Sequence, residues 1–281
     1  MQWRAKTGWR APRRADMGGP FISMSTSRTQ RVVIKFGSGI LTRPGTAALD
    51  ESQFARLTQA IAILKQEGHE VIVVTSGAVA AGLSVLGLTQ RPAETSVLQA
   101  CAAVGQSRLM HKYETLLGAC GLHVGQLLLT HEDFLHDERR ANLENTLRSL
   151  LERQNIVPVI NENDSVATEE LKFGDNDALS ASVAVLARAT LLILLTSVDG
   201  LLPPGGGEIV ERVNDIGAVL HFARDEKGEF SVGGMASKLK AVDKAVRAGV
   251  ETIIASGRRP EQIPALVAGG GLGTRFAPAG A

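Results

Sequence analysis

Four short stretches of the 281-residue chain carry residue types and spacings suited to handling phosphate. The first is Lys35, a charge inside the otherwise apolar run 31–36 (RVVIKF), followed by Gly37-Ser38-Gly39. Burying a lysine is expensive without an anionic partner. A Gly-Ser-Gly turn can offer backbone N–H groups to an anion. The alternative, a strand-edge lysine snorkelling to solvent, fits poorly with five apolar or small neighbours. The second stretch is Gly233-Gly234-Met235-Ala236-Ser237-Lys238, which opens a helix and lets free N–H groups approach phosphate oxygens. The third is Gly174-Asp175-Asn176-Asp177 and the fourth Asn161-Glu162-Asn163-Asp164. Singly, each has an ordinary explanation: a turn, a solvated lysine, a helix N-cap or a polar loop. Together, two lysines and two glycine-rich donor loops suit a polyphosphate, and the Asp/Asn clusters suit an amino group or the positioning of lysines. That set describes phosphoryl transfer, which needs placement and charge neutralisation more than covalent help.

Other chemistries find no support. The chain has no G-x-x-x-x-G-K-[ST] loop, and Gly37-Ser38-Gly39 lacks the third glycine of G-x-G-x-x-G because position 42 is Thr. His131-Glu132 is followed by His136, one place late for H-E-x-x-H. No Ser-His-Asp arrangement, reactive cysteine or dedicated metal cage is evident, so no metal ligand is expected from the protein.

The elements that must position these residues alternate. Short runs at 31–36, 70–75, 122–129, 156–160, 191–195 and 251–255 read as strands, most of them apolar on both faces. Helical spacing marks 50–68, 78–86, 96–117, 139–153, 176–187 and 235–248. Two-faced apolar strands between amphipathic helices predict an α/β fold, a mainly parallel sheet covered on both sides. Ligands of such sheets bind at the carboxyl ends of strands. Polar or glycine residues follow nearly every predicted strand there: Gly37-Ser38-Gly39, Ser76-Gly77, Asn161–Asp164, Thr196-Ser197 and Ser256-Gly257.

Composition bounds the rest. The chain is 44% hydrophobic and 21% charged, ordinary for a globular protein. Its net charge of +1 cancels a +5 segment over residues 1–30 against a −4 remainder. The basic segment lacks an apolar core and is not a secretory signal. It is expected to be a disordered extension, or to reflect a true start at Met24; a transit peptide or an RNA-binding arm are the other readings. With 4% aromatics, base-stacking platforms are not expected, and nucleic acid is not the predicted partner. No apolar run nears the ~20 residues of a membrane span. Two cysteines build no disulfide framework, which points to the cytoplasm.

From about Arg31 to Phe276 the chain resembles the amino acid kinase family, and within it the glutamate 5-kinase branch. VVIKFGSGILT resembles the family's first strand and phosphate loop, and VIVVTSGAVAAG its second strand and substrate loop. LQACAAVGQSRLM and HVGQLLLT are similar to segments of that branch. VPVINENDSVA with FGDNDALSA is the most discriminating pair, and GGMASKLKA resembles the helix-start phosphate clamp.

The resemblance implies an α/β/α sandwich over residues 31–281, with no room for the C-terminal PUA domain of longer members. It implies ATP-dependent phosphorylation of the L-glutamate side-chain carboxylate, with Mg²⁺ carried mainly by the phosphates. Lys35 and Lys238 would neutralise the transferring group and Asp177 would orient them. Ser76, Gly77, Asp164 and Asn176 would bind glutamate. Lys35, Gly37, Thr196, Ser197, Val232, Gly233, Gly234, Met235, Ala236, Ser237 and Lys238 would bind ATP. It also implies proline as feedback inhibitor and a homo-oligomer, a dimer or tetramer. The sequence departs from the family at Ser197, where an Asp is usual, and at the Pro203–Gly207 loop. Competing readings are a kinase of another small acceptor and a catalytically silent amino-acid sensor.

Overall fold

The computed structural model describes residues 29–43, 46, 48–167, 176–224 and 234–279. The expected extension up to residue 28 lies outside the described residues, as do Gly174, Asp175, Val232 and Gly233.

Among the described residues, eight strands form one sheet: β1 (Arg31–Phe36), β2 (Glu70–Val74), β3 (His123–Leu129), β4 (Ile156–Glu162), β5 (Leu191–Thr196), β6 (Arg212–Val213), β7 (Glu251–Ser256) and β8 (Gly273–Phe276). The spatial order is β3-β4-β2-β1-β5-β7-β8-β6, parallel throughout except between β7 and β8. The helices are α1 (Ser38–Leu41), α2 (Glu51–Gln66), α3 (Ala78–Leu83), α4 (Thr95–Gly118), α5 (Glu132–Leu135), α6 (Asp137–Leu151), α7 (Asn176–Leu186), α8 (Met235–Arg247) and α9 (Ile263–Val267).

The six strands expected from sequence are all present, within one or two residues at their ends. β6 and β8 were not expected. Two and four residues are too few for an alternating pattern to show, although Thr274 and Phe276 of β8 do alternate inward. The helix expected over 78–86 stops at Leu83, where the chain turns toward Gly87 in the left-handed region at φ +69°.

Strand parity builds the two cores. Val32, Ile34 and Phe36 of β1 face one core with α2, α4 and α9, while Val33 faces the other with α6, α7 and α8. Lys35 shares the parity of Val33, so the pleat directs it toward α7 and α8. β1 lies between β2 and β5, and the chain leaves it in opposite directions to reach them, which opens a crevice above its carboxyl end.

One helix contact is unusually close. A Cβ on Gly105 of α4 would lie 1.8 Å from the Ala78 carbonyl oxygen, and one on Gly82 of α3 would lie 1.9 Å from the Cys101 carbonyl oxygen. Only paired glycines allow this backbone-to-backbone approach. It fixes α4 against α3, whose N-terminus carries Gly77 at φ +100°.

Candidate active site

Lys35 reaches across the crevice to the first turn of α7. Its Nζ lies 2.6 Å from Asp177 Oδ1, and Lys238 Nζ of α8 donates to Asp177 Oδ2 at 2.9 Å. Asp177 is fully buried and the lysines are 5% and 6% exposed. Burial pushes the Asp177 carboxyl up, but the two ammonium groups and their hydrogen bonds outweigh it and hold the carboxyl below its usual range. Among the described residues one carboxylate lies between two buried ammonium groups, an arrangement that can take an anion beside it, since buried charge must be compensated. The sequence argument that Lys35 needs an anionic partner thus finds that partner in Asp177.

The β2–β4 flank is densely bonded. Asn176 Nδ2, with two hydrogens to donate, lies within hydrogen-bond reach of the Thr75 carbonyl, of Ser76 Oγ at 2.8 Å and of Asn161 Oδ1 at 2.9 Å. Asn161 Nδ2 in turn donates to Gln106 Oε1 at 2.8 Å. Thr75 Oγ1 lies 2.8 Å from the Tyr113 hydroxyl. Tyr113 is fully buried, and burial drives its phenol well above the usual range, so it stays neutral. Ser76 and Gly77 are half-buried beside this network. Asp164 is half-buried in the turn that follows β4. Next to that turn a cavity of about 360 Å³ opens, lined by Thr130, Asp133, Arg139 and Asn163 among others. Arg139 and Asp133 lie 3.4 Å apart on its wall.

The β5–β7 flank is open. Gly37 caps α1, and a Cβ there would lie 3.5 Å from Lys35 Nζ. Thr196 is half-buried and its carbonyl accepts from Gly257 N at 2.8 Å. Ser197 is exposed, as are Gly234 and Ala236; Met235 and Ser237 are half-buried. α8 starts after Gly234 with no side-chain cap; Ser237 N and Lys238 N donate to the Gly234 carbonyl at 3.1 and 3.3 Å, and the N–H groups of Met235 and Ala236 precede the helix's own acceptors. Ser256-Gly257, polar at a strand end, is structural instead. The Gly257 carbonyl accepts from Gln53, and a Cβ on Gly257 would strike Ile40 at 2.9 Å.

The structure therefore gathers Lys35, Asp177, Lys238, Asn176 and Ser76 around one crevice, with Gly37 against Lys35. Gly77 and Asp164 stand on the β2–β4 flank and Thr196 on the opposite one. Val232 and Gly233 lie outside the described residues. Among the described residues no cluster of His, Cys, Asp or Glu could hold a metal ion. Gln106, Tyr113 and Thr75 escaped the sequence reading. The signal for Gln106 was present: it lies on the buried stripe of α4 with Ala102, Leu109, Tyr113 and Leu117, a polar residue where helical spacing calls for an apolar one.

Comparison with known proteins agrees with this geometry. A model of the amino acid kinase family matches residues 30–256. A glutamate 5-kinase from Photobacterium profundum is 46% identical over 255 residues, covering 89% of this chain and 67% of its own length. One from Salmonella paratyphi B is 44% identical over 256 residues, covering 89% and 69%. Among solved structures, carbamate kinase from Giardia lamblia superposes with a TM-score of 0.62 at 16% identity, covering 89% of this chain and 99% of that one. N-acetylglutamate synthase from Neisseria gonorrhoeae gives 0.63 at 20%, the chain spanning 60% of its length. At these identities the structural matches speak for the fold alone.

Proposed function

The chain belongs to the amino acid kinase family, and from that premise we propose that it transfers the γ-phosphoryl group of ATP to the side-chain carboxylate of L-glutamate. The products are L-glutamyl 5-phosphate and ADP, the first step of proline synthesis. A side-chain oxygen of glutamate bonds to the γ-phosphorus as the bond from phosphorus to the β,γ-bridging oxygen breaks. The acceptor carboxyl, with an ordinary pKa near ~4.3, is already ionised at neutral pH, so no general base is required. The obstacle is repulsion between two anions. The buried cluster of Lys35, Asp177 and Lys238 addresses it, and this is the observation that carries the reading.

In this reading Lys35 and Lys238 neutralise charge on the transferring group, and Asp177 holds both ammonium groups in place. Asn176, Ser76, Gly77 and Asp164 receive glutamate on the β2–β4 flank. Gly37, Thr196, Ser197 and the start of α8, with Val232 and Gly233 before it, receive ATP on the other. Gly37, whose missing side chain leaves room against Lys35, fits a phosphate there. Mg²⁺ would arrive on the phosphates. Proline as inhibitor and a homo-oligomeric state belong to the same proposal.

The test is ATP-dependent trapping of the acyl phosphate with hydroxylamine, comparing glutamate, aspartate and acetylglutamate. The hydroxamate is expected with glutamate and not with the other two. Its absence with glutamate would falsify the reading, and its appearance only with another acceptor would reassign the substrate.

A further inference from the structure

The network on the acceptor flank is anchored in α4, which meets the strand ends through Gln106 and Tyr113. The Thr75 carbonyl is a backbone group and can only accept. Asn176 must therefore turn its Nδ2 toward it, and that nitrogen also faces Ser76 Oγ and Asn161 Oδ1. With Oδ1 committed, Asn161 directs its own Nδ2 to Gln106 Oε1. Gln106 is thereby fixed with Nε2 on the far side, and that nitrogen is buried with no hydrogen-bond partner among the described residues. Gln106 is 8% exposed, on a face of α4 that is otherwise apolar or small apart from Tyr113. A buried amide left half satisfied is costly, and an apolar residue of similar length would only move that cost to Asn161 Nδ2. Only the oxygen of Gln106 has a use in the structure.

We infer that Gln106 is a positioning residue for the acceptor substrate: by accepting from Asn161 Nδ2 it holds Asn161 Oδ1 toward the Asn176 nitrogen, and so reinforces the orientation that the Thr75 carbonyl sets for the amide facing the bound amino acid. Asn176, its nitrogen occupied, presents Oδ1 as an acceptor, which suits an ammonium group. Ser76 Oγ lies 2.8 Å from the same nitrogen, which cannot accept, so the Ser76 hydroxyl proton is directed elsewhere, which suits a carboxylate. The pair reads the two ends of a zwitterion. α4 grips this relay twice, since Tyr113, two turns after Gln106, holds the Thr75 side chain. The Gly82–Gly105 contact sets the distance. The inference rests on the reading of the acceptor as glutamate.

Two variants test it. Gln106→Met removes the accepting oxygen at similar length; Gln106→Glu keeps an oxygen at that reach. Wild type leaves one buried donor unpaired, and Gln106→Met also leaves one, the Asn161 Nδ2, so the melting temperature should hardly move. KM for glutamate should rise about tenfold in Gln106→Met, the scale of one lost hydrogen bond, with KM for ATP unchanged. The preference for glutamate over glutarate, which lacks the ammonium group, should fall in parallel. Gln106→Glu should restore both. An unchanged KM for glutamate in Gln106→Met overturns the inference; so does a joint movement of both KM values and the melting temperature, which marks a merely structural role. The side-chain amide signals of ¹⁵N-asparagine-labelled protein read the relay without turnover. Those of Asn161 and Asn176 should both shift in Gln106→Met, and a stationary Asn176 signal also overturns it. Wild type inactive on glutamate breaks the functional reading instead, and the amide spectra still decide the relay.

Discussion

On the β2–β4 flank of Lys35 the polar side chains are buried and bonded to one another, from Gln106 through Asn161 and Asn176 to Thr75. The β5–β7 flank is more open: Ser197 faces solvent, Thr196 and Ser237 are half-buried, and an Arg259–Asp199 ion pair lies on the surface with both partners more than two-fifths exposed. The difference is what the proposed placement of the two ligands asks for. A small amino acid offers few atoms, and each must meet a group of the right polarity, which only a prebuilt network can guarantee. A nucleotide offers a polyphosphate that backbone N–H groups at a helix start can hold without any particular side chain. Lys35 stands between the flanks, and Asp177 ties it to Lys238.

The hardest test of that division is to remove the group both flanks share. Lys35→Met or Lys238→Met should lower kcat by about 10²–10³, the range for losing one preorganised electrostatic contact. The fold should survive, because the remaining lysine still pairs with Asp177. Hydroxamate formation and thermal unfolding read the two effects separately. A variant that keeps near-normal kcat would detach that lysine from the reaction. Asp177→Asn should behave differently, leaving two buried ammonium groups without their carboxylate at a cost of about 3–5 kcal/mol. The folded Asp177 carboxyl titrates below its unfolded value of 3.8. Its contribution is therefore full above that value and is lost as pH falls through the folded one. The stability gap between wild type and Asp177→Asn should be widest near neutral pH and narrow below about pH 4, as read by denaturant titration. A gap that widens in acid would contradict the sign.

The acceptor flank should be brittle where the nucleotide flank is not. Gly105→Ala drives a methyl group into the Ala78 carbonyl, and overpacking of this kind costs about 1–3 kcal/mol. It should also raise KM for glutamate, because α3 carries Gly77. Asn176→Ala should raise KM for glutamate about ten- to a hundredfold, from lost hydrogen bonds to a charged ligand, and leave KM for ATP in place. Steady-state kinetics with each substrate varied in turn separates the flanks. Equal effects of Asn176→Ala on both KM values would erase the distinction.

Much of this was legible in the chain. The six principal strands and the crevice above them follow from two-faced apolar runs ending in glycine and polar residues. Lys35 announced its partner by its own cost, a charge in RVVIKF. Its pairing with both Asp177 and Lys238 required knowing that α7 and α8 start side by side, which strand parity constrains but spacing along the chain does not. Gln106 was hidden for a different reason. Its chemistry is expressed through two other amides, and a sequence displays residue types but not the order in which hydrogen bonds take their direction. β8 was hidden by brevity, and Ser256-Gly257 misled because a strand end can be polar for packing alone.

The smallest expected effect bears on the departure at Ser197. Its side chain is exposed and no hydrogen bond holds it. If the nucleotide flank works through backbone groups, Ser197→Ala should change KM for ATP by less than about threefold, within the usual range of surface substitutions. Gly234→Pro is the sharper companion. It alters the cap of α8 at the position where the chain enters the helix, leaving every side chain that touches Asp177 in place. A loss of ATP affinity in Gly234→Pro with none in Ser197→Ala, read by nucleotide titration, assigns recognition on that flank to the backbone. The reverse result would mean that the exposed hydroxyl itself takes part in recognition, and the two flanks would then differ in burial but not in kind.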